Sequence, residues 1–289
     1  MSKLNWKNLS LAAVLSLTML LAACGGNDGK SIELVYVEWD SEIASTHVIG
    51  KVFEDLGYDV TLTPIDNAPM WGAVANGEAD GMVAAWLPAT HAEQIAEYGD
   101  SVVDLGPNLE GAKTGLVVPA YMTVDSIADL DAYADELGAT ITGIEAGSGV
   151  VTAAEAAVDT DYANLAGWDV VPSSSGAMAT ALGEAINNEE PIVVTGWDPH
   201  WKFASYDLKY LDDPEGTFGE AQHISTMVRQ GLQEDDLDAY TVLDRFNWTS
   251  ADMEEVMLNV QEGTSAADAA AAWVEANADR VSEWTAGVE

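Results

Sequence analysis

Short apolar runs that stop at glycine or tryptophan punctuate the first two thirds of the chain. The clearest is 191–201, PIVVTGWDPHW, in which Ile192-Val193-Val194-Thr195 halts at Gly196 and then presents Trp197. A β-branched run bounded by turn residues suits a strand buried on both faces of a parallel sheet. The same grammar recurs at 33–37 (ELVYV), which runs into Glu38-Trp39, and at 81–85 (GMVAA), which runs into Trp86. A fourth run, 140–144, opens onto Ala146-Gly147-Ser148-Gly149. Three aromatic faces and one glycine-rich turn thus occupy equivalent ends of four strands. In open α/β sheets, ligands bind in the crevice beyond those carboxyl ends.

Between these runs the period changes to that of a helix. Residues 41–56 place Ala44, Val48, Val52 and Leu56 on one face, and Asp40 or Ser41 can cap the start. Gly57 ends that helix, a strand follows at 58–63, and a second helix spans 68–75 before the Asn76-Gly77 turn. Residues 32–86 therefore read as β-α-β-α-β. Residues 139–197 repeat the plan: strand 139–144, a helix from Gly149, strand 169–171, helix 176–186, and the strand ending at Trp197. Trp39 and Trp86 are 47 positions apart, Ser148 and Trp197 are 49 apart, so two units of one design are expected.

The segment 115–119 (GLVVP) suits a crossover strand, and a return crossing fits 210–214. Residues 216–289 read as helical, with Thr249 or Ser250 capping 251–260 and a long final helix over 266–285. The expected architecture is α/β, a two-lobed periplasmic-binding-protein-like fold of type II with a hinged cleft. Lobe 1 would be 32–117 plus 212–289, and lobe 2 would be 118–211.

The first 23 residues read as a signal peptide and are set aside from fold reasoning. Lys3 and Lys7 form a basic start, and the apolar stretch 9–21 is short for a membrane span. It ends in Leu21-Ala22-Ala23-Cys24, which resembles the lipobox of bacterial lipoproteins. That resemblance implies cleavage before Cys24, acylation of its thiol, and a flexible linker over 24–31 tethering the protein to the outer face of a cell membrane. Cys24 is the only cysteine, so disulfides are excluded.

About 265 mature residues suffice for a sizeable core. With Lys3 and Lys7 removed, eight basic residues face 49 acidic ones, a net charge of −41. A nucleic-acid partner is excluded, because phosphate binding needs a basic footprint. The acids are scattered along helical faces, as at Asp235, Asp236, Asp238, Glu254 and Glu255, and read as a solvated surface suited to salty surroundings.

Enzyme signatures are missing. The chain has four histidines (His47, His91, His200, His223) and no G-x-S-x-G, H-E-x-x-H, C-x-x-C or P-loop, and no cofactor or metal motif. Among 49 acids, chance pairs are numerous, so a two-carboxylate hydrolase of the cell envelope stays open as a reading of another class. Binding is better supported. A tryptophan face attracts a cation within about 6 Å, worth about 0.5–1 kcal/mol when exposed and about 2 kcal/mol or more when desolvated. A quaternary ammonium has no N–H to donate, so aromatic faces are its receptor. Backbone N–H groups at a helix start suit a carboxylate. Together these features describe a receptor for a small zwitterion.

VEWDSEIAST, AAWLPATH, EAGSGV and VTGWDPHW are similar to the glycine betaine-binding proteins of Opu-type osmoprotectant ABC importers. The resemblance extends over essentially the whole mature chain, through FNWTSADMEEVM to EWTAGV. It implies that Trp39, Trp86 and Trp197 form an aromatic cage, and that the N–H groups of Gly149 and Val150 hold the ligand carboxylate. His91 matches a histidine that can add a carboxylate contact, and Ser148 can donate its hydroxyl or shape the turn. Where the family often has Asp-Pro-Gly, this chain has Glu145-Ala146-Gly147, which leaves the N–H groups in place but loosens the turn. Some members carry the two lobes in permuted order. The implied partners are glycine betaine and permease subunits, with the binding protein a monomer and ATP hydrolysed elsewhere. Proline betaine, carnitine or choline is the alternative ligand. Trp71, Trp168, Trp248, Trp273 and Trp284 are assigned to packing, and Trp201 to packing behind the cage.

Overall fold

A computed structural model describes residues 29–288. The targeting segment and Cys24 lie outside the described residues. The nine strands among those residues are β1 Ser31–Tyr36, β2 Asp59–Pro64, β3 Gly81–Leu87, β4 Val102–Pro119, β5 Thr140–Thr142, β6 Asp169–Val171, β7 Val194–Asp198, β8 Leu208–Tyr210 and β9 Gln222–Arg229. They join in one mixed sheet, ordered β2-β1-β3-β9-β4-β7-β5-β6, with β8 beside β4.

Two parallel groups flank an antiparallel centre. β1 pairs in parallel with β2 and β3, and helices α1 (Asp40–Asp55) and α2 (Asn67–Ala75) make the crossovers. β5 pairs in parallel with β6 and β7. β4 carries both groups: its first part pairs with β9, and Lys113–Val117 then pair with β7. Register shifts between Asp104 and Ala112 bend it, at Gly106 (φ +92°) and Gly111 (φ +79°), conformations open mainly to glycine.

The short apolar runs seen in the sequence become strands, with four corrections. The 192–195 run was expected in a parallel sheet; β7 begins at Val194 and is antiparallel to β4 on one side, parallel to β5 on the other. The crossover expected at 115–119 is only the end of the 18-residue β4. Residues 216–289 are not all helical, because β9 lies at the middle of the sheet. Its buried Gln222, Ser225 and Thr226 break the apolar run that would announce a central strand. The final helix is two, Ala266–Ala276 and Ala278–Trp284. Between them the Asn277 side chain donates to the Trp273 carbonyl at 2.9 Å, a local bond that competes with helix continuation.

The N-cap of α1 also differs. Trp39 holds that position without a side-chain cap, while Asp40 and Ser41 enter the first turn and bond elsewhere. Thr249 caps its helix as expected, in a reciprocal capping box with Asp252. α1 packs between the sheet and the Ala266–Ala276 helix, and Ala44, Val48, Ile49, Val52 and Phe53 are buried there. Trp71, Trp168, Trp248, Trp273 and Trp284 are all buried packing residues. Trp273 stacks on Trp284 at 6.0 Å and meets Trp248 edge-on at 5.6 Å. Among the described residues no helix is long and apolar enough to cross a membrane.

Candidate functional site

Trp86 and Trp197 are the penultimate residues of β3 and β7, and Trp39 stands between β1 and α1. Their rings wall one cavity together with Thr90, Thr114, Ile144 and Val150. The space between its walls, counted with the part open to solvent, is about 230 Å³. It is a place for a small molecule. The Trp39 and Trp197 ring centroids are 6.4 Å apart at 47°, so the walls converge without stacking.

Each indole is held by its edge. Trp86 Nε1 donates to Glu42 Oε1 at 2.6 Å, Trp197 Nε1 to Ser41 Oγ at 3.2 Å, and Trp39 Nε1 to Glu145. Ser41 in turn donates to Glu42. With its N–H committed to such a partner, each ring can offer a face to the cavity. Ser41 and Glu42 lie in the first turn of α1, where the helix dipole favours negative charge. Glu42 is wholly buried, and burial pushes its carboxyl up to about 7 despite the bonds from Ser41 and Trp86.

The glycine turn sits opposite. Gly147 has φ +83°, and Ser148 holds the N-cap position of the Gly149–Ala156 helix without a side-chain cap, its hydroxyl donating instead to the Glu145 carbonyl at 2.8 Å. The N–H groups of Gly149 and Val150 are the first of that helix, and such groups have no intrahelical acceptor. Val150 also lines the cavity. Gly149 is required by closeness: a Cβ there would lie 2.1 Å from the Thr90 carbonyl oxygen.

His91 is fully buried, stacked on Trp39 at 5.7 Å and edge-on to Trp71 at 5.5 Å. Its Nδ1 accepts the Trp86 N–H at 2.9 Å, and burial lowers its pKa to about 3. The neutral ring therefore carries its proton on Nε2, which has no partner. Trp201 lies behind the wall, donating to Asp40 Oδ1 at 2.8 Å. Ser175 donates to Asp40 Oδ2 at 2.6 Å, and His200 Nε2 stands 3.5 Å from it. Burial alone would raise the Asp40 pKa, but contacts from His200, Ser175 and Trp201 hold it well below the usual carboxylate range.

Sequence reading singled out the three indoles and the glycine turn, and the fold brings all of them to one place. Thr90, Thr114 and Ile144 on the wall and Glu42 and Lys202 behind it were not legible as site residues, and Ser41 and Glu145 were legible only as a helix cap and part of the turn. Thr90 was within sight, inside AAWLPATH. The charged residues carried no signal, because acids and lysines on helices ordinarily mark a solvated face.

Residues 30–276 match the family described as the substrate binding domain of ABC-type glycine betaine transport systems. Lactococcal OpuAC, in its closed form with glycine betaine, superimposes with a TM-score of 0.85 at 53% identity, covering 89% of this chain and 99% of that one. The glycine betaine/L-proline-binding protein ProX of Borrelia burgdorferi gives 0.85 at 36% identity, covering 89% and 97%. The glycine betaine/carnitine transport binding protein GbuC of Listeria monocytogenes is 46% identical over 167 residues. That match spans 57% of this chain and 56% of the relative's own length.

Proposed function

Because the chain belongs to the family of substrate-binding domains of ABC-type glycine betaine transport systems, we propose that it captures glycine betaine outside the cytoplasm and delivers it to a membrane permease. The trimethylammonium sits among the faces of Trp39, Trp86 and Trp197, and the carboxylate meets the N–H groups of Gly149 and Val150. The strand groups around β3 and β7 act as two lobes that close over the ligand, with β4 and the segment before β9 as crossings. Acylation of Cys24 tethers the monomer to the membrane. The protein makes and breaks no covalent bond in its ligand, and ATP is spent by other subunits.

The observation that carries this reading is the convergence of three edge-anchored indoles and a free helix N-terminus on one small cavity. A methylated ammonium matches the faces, and a carboxylate matches the N–H groups. The name of the Listeria relative favours carnitine as the next ligand to consider.

Calorimetric titration with glycine betaine, proline betaine, carnitine and choline tests the reading. Saturable one-to-one binding of glycine betaine is expected, with choline weaker for want of a carboxylate. Silence from all four ligands overturns the proposal.

A further inference from the structure

One face of Trp197 is covered by a cation of the protein's own. Lys202 Nζ lies 4.3 Å from the Trp197 ring centroid and donates to the Trp197 carbonyl at 3.2 Å. Its side chain is wholly buried and is no part of the cavity wall. Gly196 packs beside it: a Cβ there would stand in ordinary contact with Lys202 Cε, at 3.5 Å, but only 2.5 Å from Val117 Cγ2. Burying an ammonium this way is costly unless a partner compensates, and an indole face is a partial partner.

An indole attracts cations at both faces, yet two cations across one ring repel each other. A ligand ammonium on the cavity side would stand roughly 9 Å from Lys202 Nζ. At an effective dielectric near 20, that repulsion corresponds to roughly a twentyfold change in affinity. Resting on the cage reading above, we propose that Lys202 tunes the site: a quaternary ammonium entering the cage expels the Lys202 proton to solvent, so binding tightens as pH rises.

The proton is within reach, since burial lowers the Lys202 pKa to about 7 against the pull of Asp40 and Asp198. The other groups around it are identifiable. Asp40 stays ionised, while His200 and His91, lowered to about 4 and about 3 by burial, stay neutral. Asp198 is raised by burial and faces both Lys202 and Lys113. Glu254, on the helix packed against the Lys202 turn, is raised by burial and by Asp198, and Tyr210 is raised well above its usual range. Burial raises Glu42 to about 7 as well, and a cage cation would also favour loss of its proton.

Titrating the protein with glycine betaine at pH 6 to 9, in buffers of different ionisation enthalpy, reads the proton directly. The wild type is expected to release about half a proton near pH 7 and to bind roughly three- to tenfold tighter at pH 8.5 than at pH 6. Lys202→Met should release less and bind at pH 6 as the wild type does at pH 8.5. Lys202→Arg, always charged, should bind weakly at every pH. Equal proton release by wild type and Lys202→Met, or weaker binding by Lys202→Met at every pH, overturns the inference. Should that variant not fold, Glu42→Gln decides: release that persists supports Lys202, and release that vanishes overturns it. Binding without proton release sinks this inference alone, whereas no betaine binding at all sinks the cage reading with it.

Discussion

At the scale of residues, the site is an exercise in using indoles by the face while fixing them by the edge. A free tryptophan ring can rotate about two side-chain torsions, but the bond to buried Glu42 restrains the buried ring of Trp86. Trp39→Ala, Trp86→Ala or Trp197→Ala should each weaken betaine binding by about 1–3 kcal/mol, through lost cation–π attraction and admitted water. Titration of the three variants beside Trp201→Ala checks this. Normal binding by all three with loss only in Trp201→Ala would mean that the cage is elsewhere. The three cage candidates were legible because each follows an apolar run. Glu42 was not, because an acid three residues beyond Trp39 looks like any first-turn acid until the fold buries it.

Elements place these residues, and the crossings between elements decide how closely they approach. The Gly149–Ala156 helix starts against the loop after β3, with Gly149 resting on the Thr90 backbone. Gly149→Ala would drive a methyl into that carbonyl, which cannot yield as a flexible side chain would. Betaine affinity should fall at least tenfold, about 1.4 kcal/mol, while the melting temperature of the ligand-free protein changes little, because the proposed parting of the lobes relieves the contact. Calorimetry together with thermal unfolding checks this pair of outcomes, and unchanged affinity would mean that the contact plays no part in binding. The glycine was visible in EAGSGV, but its partner Thr90 lies 59 residues earlier. No local pattern reports such a contact. β9 was hidden for a related reason: Ser225 and Thr226 are polar yet buried between β3 and β4, where sheet pairing overrides the hydropathy signal.

For the whole molecule, the acidic composition and the cavity belong to different regimes. The acids are mostly surface groups, screened within about 3 Å at 1 M salt. The proposed cage is walled by buried rings, so its attraction for a cation would be little screened. A betaine-induced rise in melting temperature should therefore persist from low to roughly molar salt, because ligand binding stabilises the folded state whatever the surface charge does. Differential scanning fluorimetry across that range is the check. A shift that disappears at high salt would mean that screened surface charge, not the cage, holds the ligand.

The chain alone determined the alternation of strands and helices, the two repeated β-α-β-α-β units, and the three tryptophans set at strand ends. These follow from local hydrophobic periods and turn residues, which act within a few positions and are therefore written in order along the sequence. Only the tertiary structure decided that β4 and β9 run antiparallel through the middle of the sheet, that Glu42 and Ser41 anchor two of the indoles, and that Lys202 lies beneath Trp197. Those features depend on which distant segments meet and how much water they exclude, and a charged or hydroxyl side chain bears no mark of its burial until they do.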